Sequence, residues 1–429
     1  MSIDARGAGT AAGGLWRHRD FLLLWSAQGV SAVGSRITRT ALPMAAILVA
    51  GAGALDLGLL AVTLTLPRAL FAWLGGGWVD RHRRRPVLIG ADLVRAVALL
   101  TIPAAGFWGV LSLPLLYAVA AVTGVATVLF ELADHVFIAD LVGREQLLDA
   151  NGKREAVDAV AEISGPALGG ALVAWLTAPI AIAADAVTFV VSALLIARIR
   201  KVEEIVAPSA ATSFIADVRI GIHVVWRDPA IRALFISAAT ITLFGSFMAS
   251  LYTLFALREL ALTPTQLGIA IGCGGIGALF GAIAAGRAAA RWGPRRTLIG
   301  SLALGAAMQV LIPLAPPVPW IAMSFLIATQ VIGDGVFTVY FINETTLRQR
   351  LLPPEALGRA AGTFQVASGL LTPIGALAGA ALAEGIGLRP TLWLLPIGFA
   401  MALASLILAR RALPACVAPT ILDPSPATR

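Results

Sequence analysis

Inside long apolar stretches stand seven ionisable side chains, Arg36, Arg39, Arg68, Glu131, Asp134, Asp185 and Asp334, and two amides, Gln28 and Gln330. A charged group in a lipid-spanning helix is costly enough that function is its default explanation. Two kinds of chemistry fit these residue types. Cations and amides can orient a ligand: Arg36 and Arg39, three apart on one helical face, Arg68, Gln28 and Gln330 are the candidates for a substrate cavity. Carboxyls can carry protons, if burial raises their proton affinity and a neighbouring cation lowers it as the site opens and closes. Glu131 is the first candidate for that role, then Asp134, with Asp185 and Asp334 behind them. Each of these residues could instead belong to an ion pair that only holds helices together.

The elements that position them are apolar helices. The chain has 429 residues, 58% of them apolar and only 13% charged, whereas soluble domains carry about twice that charge. Runs of about 20 apolar residues span a bilayer as helices. Stretches such as 57–79 and 297–315 lack the alternation of a barrel strand. Twelve spans are predicted, at about 20–49, 57–79, 87–110, 113–140, 153–175, 178–197, 232–256, 265–289, 296–315, 319–341, 358–384 and 390–411. The net charge of +8 does not signal nucleic acid, because the cations fall in alternate loops and the other loops hold only Arg258 and Arg389. That asymmetry places both termini and every even-to-odd connection in the cytoplasm. The first nineteen residues show no signal-peptide core, so the first span is expected to be retained. Cys273 and Cys416 predict no disulfide framework.

This organisation gives a cytoplasmic N-terminus at 1–19, a six-helix bundle at 20–197, a cytoplasmic linker at 198–231, a second six-helix bundle at 232–411 and a cytoplasmic tail at 412–429. Within the linker, Phe214, Val218, Ile222, Val225 and Trp226 recur at helical spacing, as in a helix lying on a membrane surface or a short solvated linker helix. The bundles repeat at an offset of 210 residues, which pairs Gly76, Arg81 and Arg85 with Gly286, Arg291 and Arg295, and Gly165 and Gly169 with Gly375 and Gly379. Internal duplication of this kind is typical of transporters with a site between the halves.

After the second span, Gly76, Asp80, Arg81, Arg84 and Arg85 resemble the signature of the major facilitator superfamily; Arg83 stands where that family usually has Gly, and Ala290 replaces the acid in the second copy. The resemblance implies a conformational latch that holds the cytoplasmic side shut. Gly165, Pro166, Gly169 and Gly170 resemble the helix-bend motif of exporters in the superfamily, with Ala161 in place of a preceding glycine. The runs at 130–134, 148–151, 184–189, 347–349 and 358–359 are similar to the subfamily that includes the bacterial enterobactin exporter and macrolide efflux proteins. That similarity implies an all-α membrane protein of twelve helices in two pseudo-symmetric bundles. It implies proton-driven export of siderophores, drugs or other bulky amphipathic molecules. In the superfamily the first and fourth helices line the cavity, so Arg36, Arg39, Glu131 and Asp134 are expected to face it. Asp92 and Arg95 are expected to be a surface pair supporting the latch.

Enzymes fit poorly. Gly152-Lys-Arg154 is the nearest approach to a phosphate loop, His18, His82, His135 and His223 are scattered, and no nucleophile elbow exists. No cofactor or metal is expected; the expected partners are a small-molecule substrate, protons and lipid, with no nucleic acid, and the chain is expected to act as a monomer in the inner membrane. Uptake of a nutrient, lipid flipping and a non-transporting receptor are the alternatives to export.

Overall fold

The computed structural model describes residues 15–79, 82–201 and 214–414, which form helices joined by short turns. Lipid offers no partners to backbone N–H and C=O groups, so each span satisfies its own. The twelve spans, called first to twelfth below, are Arg19–Leu48, Ala54–Val79, Arg84–Phe107, Leu113–Val142, Leu147–Trp175, Ala178–Ala197, Pro229–Arg258, Pro264–Trp292, Pro294–Leu314, Pro319–Leu351, Pro354–Ile386 and Leu388–Leu408. Among the described residues, ten are long and apolar enough to cross a membrane on composition alone; the first and second complete the set. Gln28, Arg36 and Arg39 dilute the hydropathy of the first.

Several helices outrun the predicted spans at the arginine-rich end. The fifth begins at Leu147 and the tenth continues to Leu351. A 30-residue helix such as the fourth is roughly 45 Å long against a hydrocarbon core of about 30 Å, so its surplus turns stand outside and carry polar residues. Starts are fixed locally: Asp228 accepts from the amides of Ala230 and Ile231, and Thr263 forms a capping box with Gln266. The linker contains the helix Phe214–Arg227, seated on the eleventh span, where Gly221 lies against Arg359 and Thr363.

Within the first half the first helix packs on the fifth and sixth, the third on the fourth and sixth, and the second on the fourth; the second half repeats these pairings. The halves meet along two seams, fifth helix on eighth and second on eleventh. Both are built at the end whose loops are poor in arginine. A Cβ on Gly268 would lie 2.4 Å from the Pro166 carbonyl oxygen, and one on Gly170 would lie 2.3 Å from that of Pro264. The positions one repeat away form the other seam: a Cβ on Gly58 would lie 2.5 Å from the Ala380 Cβ and 3.1 Å from the Ala376 oxygen. Small residues let the backbones touch, as membrane helix packing requires. Arg258 reinforces this end by donating to the Ala52 carbonyl across the halves, at 2.8 Å.

Candidate substrate and coupling site

The fifth helix carries the seam and the first charged cluster together. Gly165 and Gly169 pack against Arg36 and Ile37 of the first helix, and Gly170 against the eighth, so the motif acts as a close-packing surface in a continuous helix. One turn earlier, Glu162 accepts from Arg36 at 2.8 Å and lies 3.6 Å from Arg39. Arg36 is largely covered, while Arg39 is exposed. The residues beside Glu162 meet the other half directly, since Ile163 touches Gly272 and Gly275 of the eighth helix.

Across that contact the second half presents Asp334 and Gln330. Both lie in a π-helical segment, Thr329–Asp334, that interrupts the tenth helix. Wide turns of this type recur at functional sites. A row of glycines on the eighth helix receives the segment: a Cβ on Gly274 would meet an Asp334 carboxylate oxygen, and one on Gly277 the Val331 carbonyl. Glu162 lies within electrostatic range of Asp334, as Asp334 does of the buried Tyr252 of the seventh helix. Arg36, Arg39 and Glu162 of the first and fifth helices thus stand on one side of the contact between the halves, and Asp334 and Gln330 of the tenth on the other.

The other predicted residues lie apart from this centre. Asp134 is fully buried, accepts from Gln28, and pairs with Arg154 at 2.8 Å, binding the first, fourth and fifth helices. Arg36 and Arg39 meet Glu162 of the fifth helix. Glu131 is half-buried and acts on Arg95. Asp185 is buried, accepts from the Thr188 hydroxyl at 3.0 Å, and faces Gly34 of the first helix.

Asp92 and Arg95 require a correction. They are not a surface pair: they are 0% and 5% exposed, and the Arg95 guanidinium sits between the rings of Phe130 and Phe189 at 4.5 and 4.1 Å. The third helix turns that face inward onto the fourth and sixth, and a cation sandwiched by aromatic rings and paired with a carboxylate is stable there. Arg84 is buried 4.0 Å from Asp140, and Arg85 donates to the last carbonyls of the sixth helix. Arg68 and Gly76 fall on the second helix where side chains lie outside the described residues, as Asp80 and Arg81 do entirely. Arg83 has φ −65° and ψ 129°, an extended backbone open to any residue, whereas its repeat counterpart Gly293 has φ +79°.

Glu162 is the residue sequence reasoning missed. Its signal was available: an acid deeper in the span than Glu155 and Asp158, three residues before Gly165.

Twelve spans in two repeated halves, with charge gathered at the seam between them, define a major facilitator transporter. Residues 11–425 match the model of the transmembrane secretion effector family, and the chain belongs to that family. It is a multi-pass membrane transporter and not an enzyme. The chain is 29% identical to the multidrug efflux pump Tap of Mycolicibacterium fortuitum, over 86% of this chain and 90% of that protein. It is 25% identical to macrolide efflux protein A of Streptococcus pyogenes, over 87% and 91%. The fold matches a bacterial homologue of the iron transporter ferroportin in its inward-facing state, with TM-score 0.73, 19% identity and coverage of 91% and 98%. It also matches a bacterial homologue of the lysosomal transporter Spinster, inward-facing and occupied, with TM-score 0.72, 14% identity and coverage of 93% and 97%.

Proposed function

We propose that this transporter exports bulky amphipathic small molecules from the cytoplasm in exchange for protons, by alternating access. The observation that carries the reading is the Arg36–Glu162 pair, 2.8 Å long, facing Asp334 across the contact between the halves. Efflux is supported by the relatives, which are named for export of drugs and macrolides. The positive-inside asymmetry puts the arginine-rich end and both termini in the cytoplasm of the cell membrane. On that assignment the two glycine seams close the outer side. Glu155 on the fifth helix and Gln365 on the eleventh, both exposed, lie on the inner side of the seams, consistent with a cavity open to the cytoplasm.

Glu162 and Asp334 would take up a proton when the cavity faces outward and release it inward. Protonation weakens the hold of Glu162 on Arg36 and Arg39, and a ligand carrying its own charge competes for the same groups. Proton and ligand thus occupy one site in turn, which couples their movements. Asp134, Asp185 and Glu131, held in contacts within the first half, are structural supports in this scheme, and Gln330 orients the ligand. One chain suffices, because both halves of the site come from it.

The test is flux of ethidium and erythromycin into inverted vesicles with an acid interior. Glu162→Gln and Asp334→Asn should abolish gradient-driven accumulation while leaving ligand-induced thermal stabilisation intact. Wild-type accumulation in Glu162→Gln would overturn the assignment, and loss confined to Glu131→Gln would transfer it to that residue. Accumulation only in right-side-out vesicles would indicate uptake.

A further inference from the structure

A cavity of about 760 Å³ lies outside the central site, on the outer face of the third and fourth helices, lined by Val87, Val94, Val122, Val125 and Leu129 with Arg83 at its rim. It adjoins two further cavities, with each of which it shares lining residues. Toward the arginine-poor end it shares Val94 and Val122 with a second, wholly apolar cavity of about 500 Å³ that reaches Thr101. Toward the arginine-rich end it shares Arg83, Pro86 and Gly90 with a third cavity of about 500 Å³, whose walls include Arg85, Arg200 and Lys201. Together they form one furrow with an apolar body and a basic head.

We propose that this furrow binds one anionic phospholipid, with the phosphate in the basic head and an acyl chain along the third and fourth helices. Length fits. The furrow follows the third helix from Pro86 to Thr101, roughly 22 Å at 1.5 Å per residue, which exceeds the roughly 15 Å depth of one leaflet's hydrocarbon. Charge fits as well, since basic pockets between spans at the cytoplasmic side suit acidic headgroups. Within the head, Arg85 and Lys201 are anchored to carbonyls of the sixth and fourth helices, which fixes the walls, while Arg83 and Arg200 line the opening. The departure at position 83 acquires a reason here. Its extended backbone has no need of glycine, and an arginine there adds a cation where the apolar furrow meets the basic head. Gly90 leaves the junction unobstructed, because a Cβ there would meet nothing within 4 Å.

Binding can be measured by native mass spectrometry of the purified full chain titrated with dioleoyl phosphatidylglycerol, dioleoyl phosphatidylcholine or glycerol 3-phosphate. One phosphatidylglycerol should bind more tightly than the general background, and phosphatidylcholine should not distinguish this site. Arg83→Gln and Arg200→Gln should each weaken phosphatidylglycerol binding about fivefold, from about 1 kcal/mol per basic residue. Gly90→Phe, which fills the junction and leaves every charge in place, should remove the tight site as well. Equal binding of the two lipids, or unchanged phosphatidylglycerol binding in Gly90→Phe, would overturn the proposal. Glycerol 3-phosphate binding as tightly as the lipid would also overturn it, since it would assign the head to a free phosphate. Melting temperatures in phosphatidylcholine show whether each variant is folded before its binding is read.

Discussion

The two halves share one helix arrangement but fill it with opposite chemistry. In the first half Arg95 lies between Phe130 and Phe189, beside Asp92. One repeat later the arginine becomes Gly305, Phe189 becomes Phe399, and the vacated space is filled by Phe337, whose ring contacts Phe399 at 4.8 Å and lies against Gly305. A charged knot and an aromatic plug thus occupy the same place. The joint between the first and sixth helices is inverted in the same way: Gly34 receives Asp185 and Thr188, whereas in the second half Phe244 is the large partner and Gly398 the small one. Buried acids persist at one equivalent pair, Asp134 and Glu344, with different partners: Arg154 on the next helix for the former and Arg348 on the same helix for the latter. The lesson is that backbone geometry survives duplication, while each half is free to solve its interior independently.

Breaking the charged knot should have the largest effect. Arg95→Met leaves Asp92 buried without its cation and should cost about 3–5 kcal/mol, read as a lower melting temperature in detergent. Adding Asp92→Leu, which imports the second half's Leu302 solution, should recover most of that loss; no recovery would show that the knot does more than fill space. Phe337→Ala, the matching lesion in the aromatic plug, should cost about 3 kcal/mol through the cavity it leaves. The two seams should respond in the same direction. Gly268→Ala drives a methyl into the Pro166 carbonyl and Gly58→Ala into the Ala380 methyl, each costing about 1–3 kcal/mol and speeding maleimide labelling of a cysteine placed at Ile163. The smallest effect is expected for Ala380→Gly, about 0.5–1 kcal/mol from helix propensity alone, because it only removes a methyl at the seam; a larger fall in melting temperature would assign that contact more weight than its partner across the repeat.

The spans, the repeat and the uneven arginines were legible because length, apolar runs and a constant offset are properties of the chain itself. Gly165 and Gly169 were legible as contact residues for the same reason, since their partners at 375 and 379 repeat the spacing and each pair packs on the first helix of its own bundle. The pairing of charges was not. Which acid meets Arg36 depends on the rotation of each helix about its axis, and spacing along one helix does not reveal it. Glu131 and Asp134 shared a helix that the resemblance placed at the cavity, yet the fifth helix supplies the partner. Asp92 and Arg95 read as a surface pair because three-residue spacing is identical on an outer and an inner face; the difference is made by Phe130 and Phe189, which are 35 and 94 residues from Arg95 in sequence.

The inverted joint also bears on how such a chain assembles. Two bundles with nearly the same outline emerge one after the other, and helices of one could dock on their doubles in the other. Swapping partners would set Gly34 opposite Gly398, leaving a hole, and drive the ring of Phe244 into Asp185 and Thr188. Each wrong marriage is penalised, one by emptiness and one by collision, so a single exchange of sizes proofreads the folding of a duplicated protein.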